Sequence, residues 1–267
     1  MGKKATICVI VTALILFAAG CSKNDAGSGD QSLRKVLDAG QLVLGLDDNY
    51  PPMGFRDDSG QIVGFDIDLA QEVCKRLDID LVMQPIEWDK KEEELNSGNI
   101  DCIWNGMSAS PERAKVMCLS ESYLRSSLVF VTMNDSDIKE VNDIKGKKVG
   151  VQSGSTTEDE LNNSTLISEI TLVGYGDNGE VMKSLEEGTI DVAFIDSIST
   201  YYYSSTSDER FYILPNSFCK EELAIGFRRE DHALRDKIQE TLGEMKEDGT
   251  LKIISEKWFG SDITILK

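Results

Sequence analysis

Two stretches of this chain share one frame at an offset of 90 residues, and that echo limits what the chain can fold into. Residues 95–105 read LNSGNIDCIWN and residues 185–196 read LEEGTIDVAFID, both L-x-x-G-x-I-D followed by an apolar run. Each copy reads as a helix end, a glycine stop and a buried strand. Each is preceded by an earlier strand that runs into a polar loop, LGLDDNYPP in one case and VGVQSGSTT in the other. QLVLGL and KKVGVQ read as strands, DLAQEVCKRL and EVMKSLEEG as amphipathic helices, and their alternation predicts an α/β fold with parallel strands. A length of 267 residues suits two lobes of about 100 residues each. In open α/β sheets, ligands sit at the carboxyl ends of the strands. Those ends are Asp47 to Tyr50 and Asn105 to Ser110 in one lobe, and Gln152 to Thr157 and Asp196 in the other. A cleft between the lobes would collect all four.

The chain opens MGKKATICVIVTALILFAAGC, with a basic start at Lys3 and Lys4, an apolar run from Ala5 to Ala19 and small residues before Cys21. That is the pattern of a secretory signal peptide over residues 1–20, too short for a membrane span. Gly2 and Thr6 also fit a myristoylation pattern, but the apolar run directly behind them favours export. Residues 21–32 are small and polar, as in a flexible tether, so folded structure is expected from about Leu33. Removing residues 1–20 takes the formal charge from −19 to −21 and speaks against nucleic-acid binding. Of six cysteines, Cys74, Cys102, Cys118 and Cys219 lie in the expected folded part, none at metal-ligand spacing, and the one histidine is His232. Neither a metal nor a cofactor is expected.

The acids of GFDIDLA are read as helix-start residues, Asp66 at the N-cap and Asp68 in the first turn, because apolar residues follow at helical spacing and calcium-loop ligands are lacking. In NGMSASPERAK, Ser110 is the expected N-cap, Pro111 the first helical residue, and Arg113 a cation at the positive end of a helix. A carboxylate clasped by Arg113 and groups around Gly106, Ser108 and Ser110 would resolve that conflict, and a solvated guanidinium is the alternative. GVQSGSTTEDEL is a strand, a small-residue loop and a helix start, with free N–H groups near Ser155 and Thr156. It is neither a phosphate-binding P-loop nor a nucleophile elbow. Asp196, at a strand end, either meets an ammonium group or caps the following helix. Tyr50 and Trp88 either sandwich a side chain or pack in the core.

In order, the blocks LDDNYPPMGF, GQIVGFDIDLAQEV, LNSGNIDCIWNGMSASPERAK, IKGKKVGVQSGST, LEEGTIDVAFID and EDGTLKIISEKWFG span nearly the whole mature chain. It resembles the extracytoplasmic solute-binding proteins of polar amino-acid ABC importers, and AAGC resembles a bacterial lipobox with Ala18 where Leu is usual. The resemblance implies two Rossmann-like lobes joined by two crossover strands, of the type II periplasmic-binding-protein kind, with the ligand in the cleft. Lobe one would comprise residues 33–126 plus 223–267, and lobe two residues 127–222. Arg113 would hold the α-carboxylate of an amino acid together with Ser108 and the Thr156 loop, and Asp196 the α-ammonium. Asp47, Tyr50, Trp88, Gly106 and Gln152 would line the side-chain pocket, with a basic side chain favoured over glutamine or cystine. Departures from the family pattern are Met53, usually an aromatic, and Ser110, often Thr. The implied partners are the membrane permease of an ABC importer and, through a lipid on Cys21, the membrane. An enzyme such as a cyclohexadienyl dehydratase shares the fold, but the only cleft-side acid in a suitable loop is Glu87, and IEWDKK offers it no partner. A receptor sensing module shares it too, but no apolar run of about 20 residues follows Cys21.

Overall fold

The computed structural model describes residue 2 and residues 29–206 and 210–266. The leader, most of the tether and the expected lipid site Cys21 lie outside the described residues. Structure begins at α1 (Ser32–Ala39), then β1 (Gln41–Leu46), a small antiparallel sheet of β2 (Asn49–Tyr50), β3 (Gly54–Arg56) and β4 (Ile62–Val63), α2 (Phe65–Arg76), β5 (Asp80–Pro85), α3 (Lys91–Ser97), β6 (Cys102–Ile103), α4 (Arg113–Val116) and β7 (Met117–Leu119). The ten-residue β8 (Leu124–Met133) leads into β9 (Lys148–Gln152), α5 (Thr156–Asn162), β10 (Thr171–Tyr175), α6 (Asn178–Glu186), β11 (Val192–Asp196), α7 (Ser197–Thr206) and β12 (Phe211–Ile213). The chain returns through β13 (Cys219–Leu223) to β14 (Gly226–Arg228) and ends in α8 (His232–Glu247) and α9 (Thr250–Phe259).

Two sheets result, one ordered β5-β1-β6-β14-β7 and one ordered β10-β9-β11-β8-β12, with β13 paired to β8. Their centres are parallel, as the alternation predicts, but β14 and β8 run antiparallel to their neighbours. These exceptions arise where the chain crosses between lobes. β8 and β13 pair antiparallel from Leu124↔Leu223 to Leu128↔Cys219, so the two crossings form one ribbon. Alternation on the second sheet sends Leu128, Phe130, Val192 and Phe194 to one apolar cluster and Val129, Val131, Ala193 and Ile195 to another, so both faces are covered.

The echo has a physical basis in each of its four fixed residues. Leu95 and Leu185 are buried helix residues. Gly98 and Gly188 end their helices at φ 83° and 70°, where a side chain would be strained. Ile100 and Ile190 lie over glycines of the neighbouring strands β1 and β9, their Cδ1 atoms 2.4 and 2.5 Å from where a Cβ of Gly45 or Gly150 would stand. The carboxylates of Asp101 and Asp191 accept the N–H of Val43 at 3.0 Å and of Lys148 at 2.8 Å. One joint is therefore built twice, and it sets β6 beside β1 and β11 beside β9 in the same way.

Candidate functional site

Because the joints match, the carboxyl ends of β1, β6, β9 and β11 face one another across the lobes. They line a small cavity whose wall includes all nine residues singled out from the sequence: Asp47, Tyr50, Trp88, Gly106, Ser108, Arg113, Gln152, Thr156 and Asp196. Asn105, Leu128, Ser155, Thr157, Asn178 and Glu221 complete the wall.

Arg113 is 6% exposed, and its Nη1 donates to the Ser108 carbonyl at 3.0 Å. Among the described residues it has no carboxylate within 4.0 Å, and burial lowers its pKa. The solvated-guanidinium alternative is thereby excluded. Ser110 Oγ accepts the Arg113 N–H at 3.2 Å as an N-cap would, but the helix starts at Arg113 with Glu112 in the cap position. The Ala109 N–H donates to Glu222 O of the second crossing, and the Ala114 N–H donates to the Ser110 carbonyl, so the chain already turns between Ser110 and Arg113.

Asp196, 5% exposed, takes the capping role, one of the two the sequence left open for it. One oxygen accepts the Ser199 N–H at 2.9 Å, capping α7, and the other accepts the Tyr50 hydroxyl at 2.7 Å. Burial raises its pKa against those hydrogen bonds. Asp47 accepts from the Gln152 amide at 2.6 Å across the cleft, and burial pushes its carboxyl up to about 6. Its neighbour Asp48 is paired with Arg56 at 2.6 Å and is not part of the cavity wall. Tyr50 ends β2 and Trp88 opens a single turn, Trp88–Lys90, each under 10% exposed yet lining the cavity. Glu87, expected to lack a partner, is paired with Lys90.

Asp66 is not the cap of α2. Gly64 holds that position, at φ 149° with its backbone against Met53 O, and Asp66 turns inward, fully buried. Its Oδ2 accepts the Gly106 N–H at 2.6 Å and the Tyr123 hydroxyl at 3.0 Å. It thereby fixes the cavity wall from behind, where a Cβ on Gly106 would meet the Tyr50 ring at 2.6 Å. Asp68 accepts from Lys257 and from the Trp258 indole, tying α2 to α9. Met53, the departure from the family pattern, is a fully buried core residue under Gly106.

Glu221 escaped the sequence reading as a site residue. It lies in β13, one of the two crossings, opposite Ser126 of the other, and accepts the Ser108 hydroxyl at 2.6 Å. Burial, then the charge of Asp196, pushes it up to about 7. Two buried polar atoms of the wall, Asn105 Nδ2 and Thr156 Oγ1, have no hydrogen-bond partner among the described residues. No group of three or more His, Cys, Asp or Glu side chains suited to a metal occurs among the described residues. Cys74, Cys102, Cys118 and Cys219 are free thiols.

A cavity between two lobes joined by one paired ribbon, with a buried guanidinium that has no acid partner and several buried carboxyl groups in its wall, defines a class: two-lobed proteins that capture a small polar solute. The chain belongs to the bacterial extracellular solute-binding proteins, family 3, whose model matches residues 42–261. It is 32% identical to the L-cystine-binding protein TcyJ of Escherichia coli K12, over 99% of this chain and 98% of that protein. The crystal structure of Tv2483 bound to L-arginine matches with a TM-score of 0.85 at 31% identity, covering 89% of this chain and 98% of that one. A substrate-binding protein of an ABC uptake transporter from Streptococcus pneumoniae with bound histidine matches at 0.85 and 34%, covering 89% and 99%. No helix among the described residues is long and apolar enough to cross a membrane.

Proposed function

We propose that the chain binds one zwitterionic amino acid outside the cytoplasm, with a basic side chain favoured, and delivers it to the permease of an ABC importer. The observation that carries this reading is Arg113: a buried guanidinium with no acid partner is costly unless a ligand anion completes it. The α-carboxylate fills that place, with the orphaned Thr156 hydroxyl beside it. Asp196, Asp47 and Glu221 outnumber the single guanidinium of the wall, so a cationic ligand balances the site better than a neutral one. A second carboxylate on the ligand would worsen the balance. Relatives that bind cystine, arginine and histidine support the amino-acid reading without choosing among the three. They are binding proteins, in keeping with a carrier rather than an enzyme.

Lobe one spans residues 33–126 plus 223–267 and lobe two residues 127–222 in this reading, a division supported by the paired crossings. Residues 1–20 act as the signal, and a lipid on Cys21 holds the tether at the outer face of the membrane. A thermal-shift screen of residues 22–267 against the twenty amino acids plus ornithine, citrulline and cystine, followed by calorimetry, tests the ligand. Arginine, lysine or ornithine should bind tightest. Tight glutamate binding, or a neutral amino acid above every basic one, would refute the basic preference, and no binding at all would refute the function.

A further inference from the structure

The cavity holds one more charged group than the capture of an α-amino acid needs. Glu221 stands on the hinge ribbon rather than at the end of a parallel strand, and its carboxyl group shares the wall with Asp196 and Arg113. Among the described residues it has no lysine or arginine within 4.0 Å, so its charge is compensated only by hydroxyls and by the Arg113 field. Two carboxyl groups facing a common desolvated space repel unless a proton or a cation lies between them. A hydroxyl also carries a single proton. With that proton given to Glu221 at 2.6 Å, Ser108 presents only lone pairs to the cavity, which suits an ammonium donor and not a carboxylate.

We propose that Glu221 is a ligand-binding residue: its carboxylate and that of Asp196 together seat the α-ammonium of the ligand, and Ser108 serves as an acceptor beside them. This rests on the amino-acid reading above and assigns Ser108 to the opposite pole from the one the family resemblance implies. The ammonium brings three N–H donors, and two carboxylates with the Ser108 oxygen meet them. The site therefore selects amino acids with a free primary α-ammonium, and rejects deamino and N-acyl acids more sharply than Asp196 alone would. The hinge strands become part of the recognition surface, because Glu221 lies opposite Ser126 in their pairing.

A chemical cycle tests this with the full mature chain. L-arginine and its deamino analogue, 5-guanidinopentanoic acid, are titrated by calorimetry into wild type, Glu221→Gln and Glu221→Ala, with thermal unfolding to verify folding. In wild type, losing the ammonium should weaken binding on the order of 100-fold, and in Glu221→Gln about tenfold less than that, as expected for one charge-assisted contact. A structural role for Glu221 would weaken both ligands equally and leave the ratio unchanged, which would overturn the proposal. Should the screen select another amino acid, that one and its deamino analogue replace the pair. If wild type binds no amino acid, the proposed function fails. If it binds one and the amine dependence is the same in Glu221→Gln, this inference alone fails.

Discussion

Gly154 offers a way to measure closure of the lobes separately from the chemistry of the cavity. It sits in the loop after β9 at φ 70°, and a Cβ there would stand 2.8 Å from Asp89 Cα and 3.1 Å from Asp89 Cβ on the other lobe. Carbon atoms pack at about 3.5 to 4.0 Å, so Gly154→Ala forces the lobes apart locally by roughly 0.7 Å. The same movement stretches the bond from Lys91 Nζ to the Gly154 carbonyl, now 2.8 Å. Lys91 is 5% exposed, and burial pulls its pKa down to about 8, so this bond is made by a desolvated cation. Losing it costs about 1.5 to 3 kcal/mol, or roughly 10- to 150-fold in affinity. The left-handed backbone adds a second cost of about 1 to 2 kcal/mol, partly offset by the stiffer unfolded chain. That second cost is the same in open and closed states, so it lowers stability and not affinity. Urea unfolding of the ligand-free chain reads the backbone strain, and calorimetry with the amino acid selected by the screen reads closure. Lys91→Met should reproduce the affinity loss without the strain, and the double variant should lose less than the sum. Affinity within twofold of wild type in Gly154→Ala, alongside the expected stability loss, would show that Asp89 and Gly154 do not meet in the bound state.

Arg113→Ala and Asp196→Ala should each weaken amino-acid binding roughly 30-fold or more while the chain stays folded, since each truncates one side of a desolvated charged contact; near-normal calorimetric titrations would place the ligand elsewhere. Asp66→Ala should destabilise the fold by about 2 to 5 kcal/mol in urea unfolding, because the Gly106 N–H and Tyr123 O–H both lose their acceptor, and Asp66→Asn should cost less; a change under about 0.5 kcal/mol would contradict the pinning role. Asp47, Asp66 and Glu221 are held up to about 6, 7 and 7 by burial, so the native chain keeps protons that the unfolded chain releases. Their contribution to ligand-free stability is present below the ordinary carboxyl values of 3.8 and 4.5 and is lost as pH rises through the native values. Ligand affinity should move the other way over the same range, because a proton on Glu221, which faces Asp196, Arg113, Ser108 and Ser126, competes with the ammonium. Thermal shifts with arginine that do not grow between about pH 5 and pH 8 would refute this coupling.

The frame of the molecule was legible because its determinants are local. A glycine after a helix, an isoleucine and an aspartate before a strand are three positions of one short segment, and the chain writes them twice. The site was legible for the same reason, since strand ends and helix starts carry Asp47, Gln152, Thr156 and Asp196. What escaped depends on partners far along the chain. Spacing alone put Asp66 at a helix cap, yet its partners lie 40 and 57 residues away, and Gly64 takes the cap because Met53 leaves no room for a side chain. Glu221 left a weaker trace. In CKEEL, alternation turns Cys219, Glu221 and Leu223 inward and Lys220 and Glu222 outward, so one of two adjacent acids had to face the protein.

The antiparallel ribbon of β8 and β13 also bears on the order in which the molecule can assemble. Strand β14 is hydrogen-bonded between β6 and β7, so the first sheet has a gap at its middle until residues 226–228 have been made. Everything between Leu124 and Leu223, by contrast, is continuous in sequence, and those two residues are register partners. In a chain emerging from its amino terminus the second lobe can therefore complete its sheet while the first still waits for its last strand and for α8 and α9. Topologically the second lobe is an insertion whose two ends already touch. A short turn joining residues near 124 and 223 should let the first lobe close its sheet without the insertion, and the ends of the excised lobe should meet without spanning any distance.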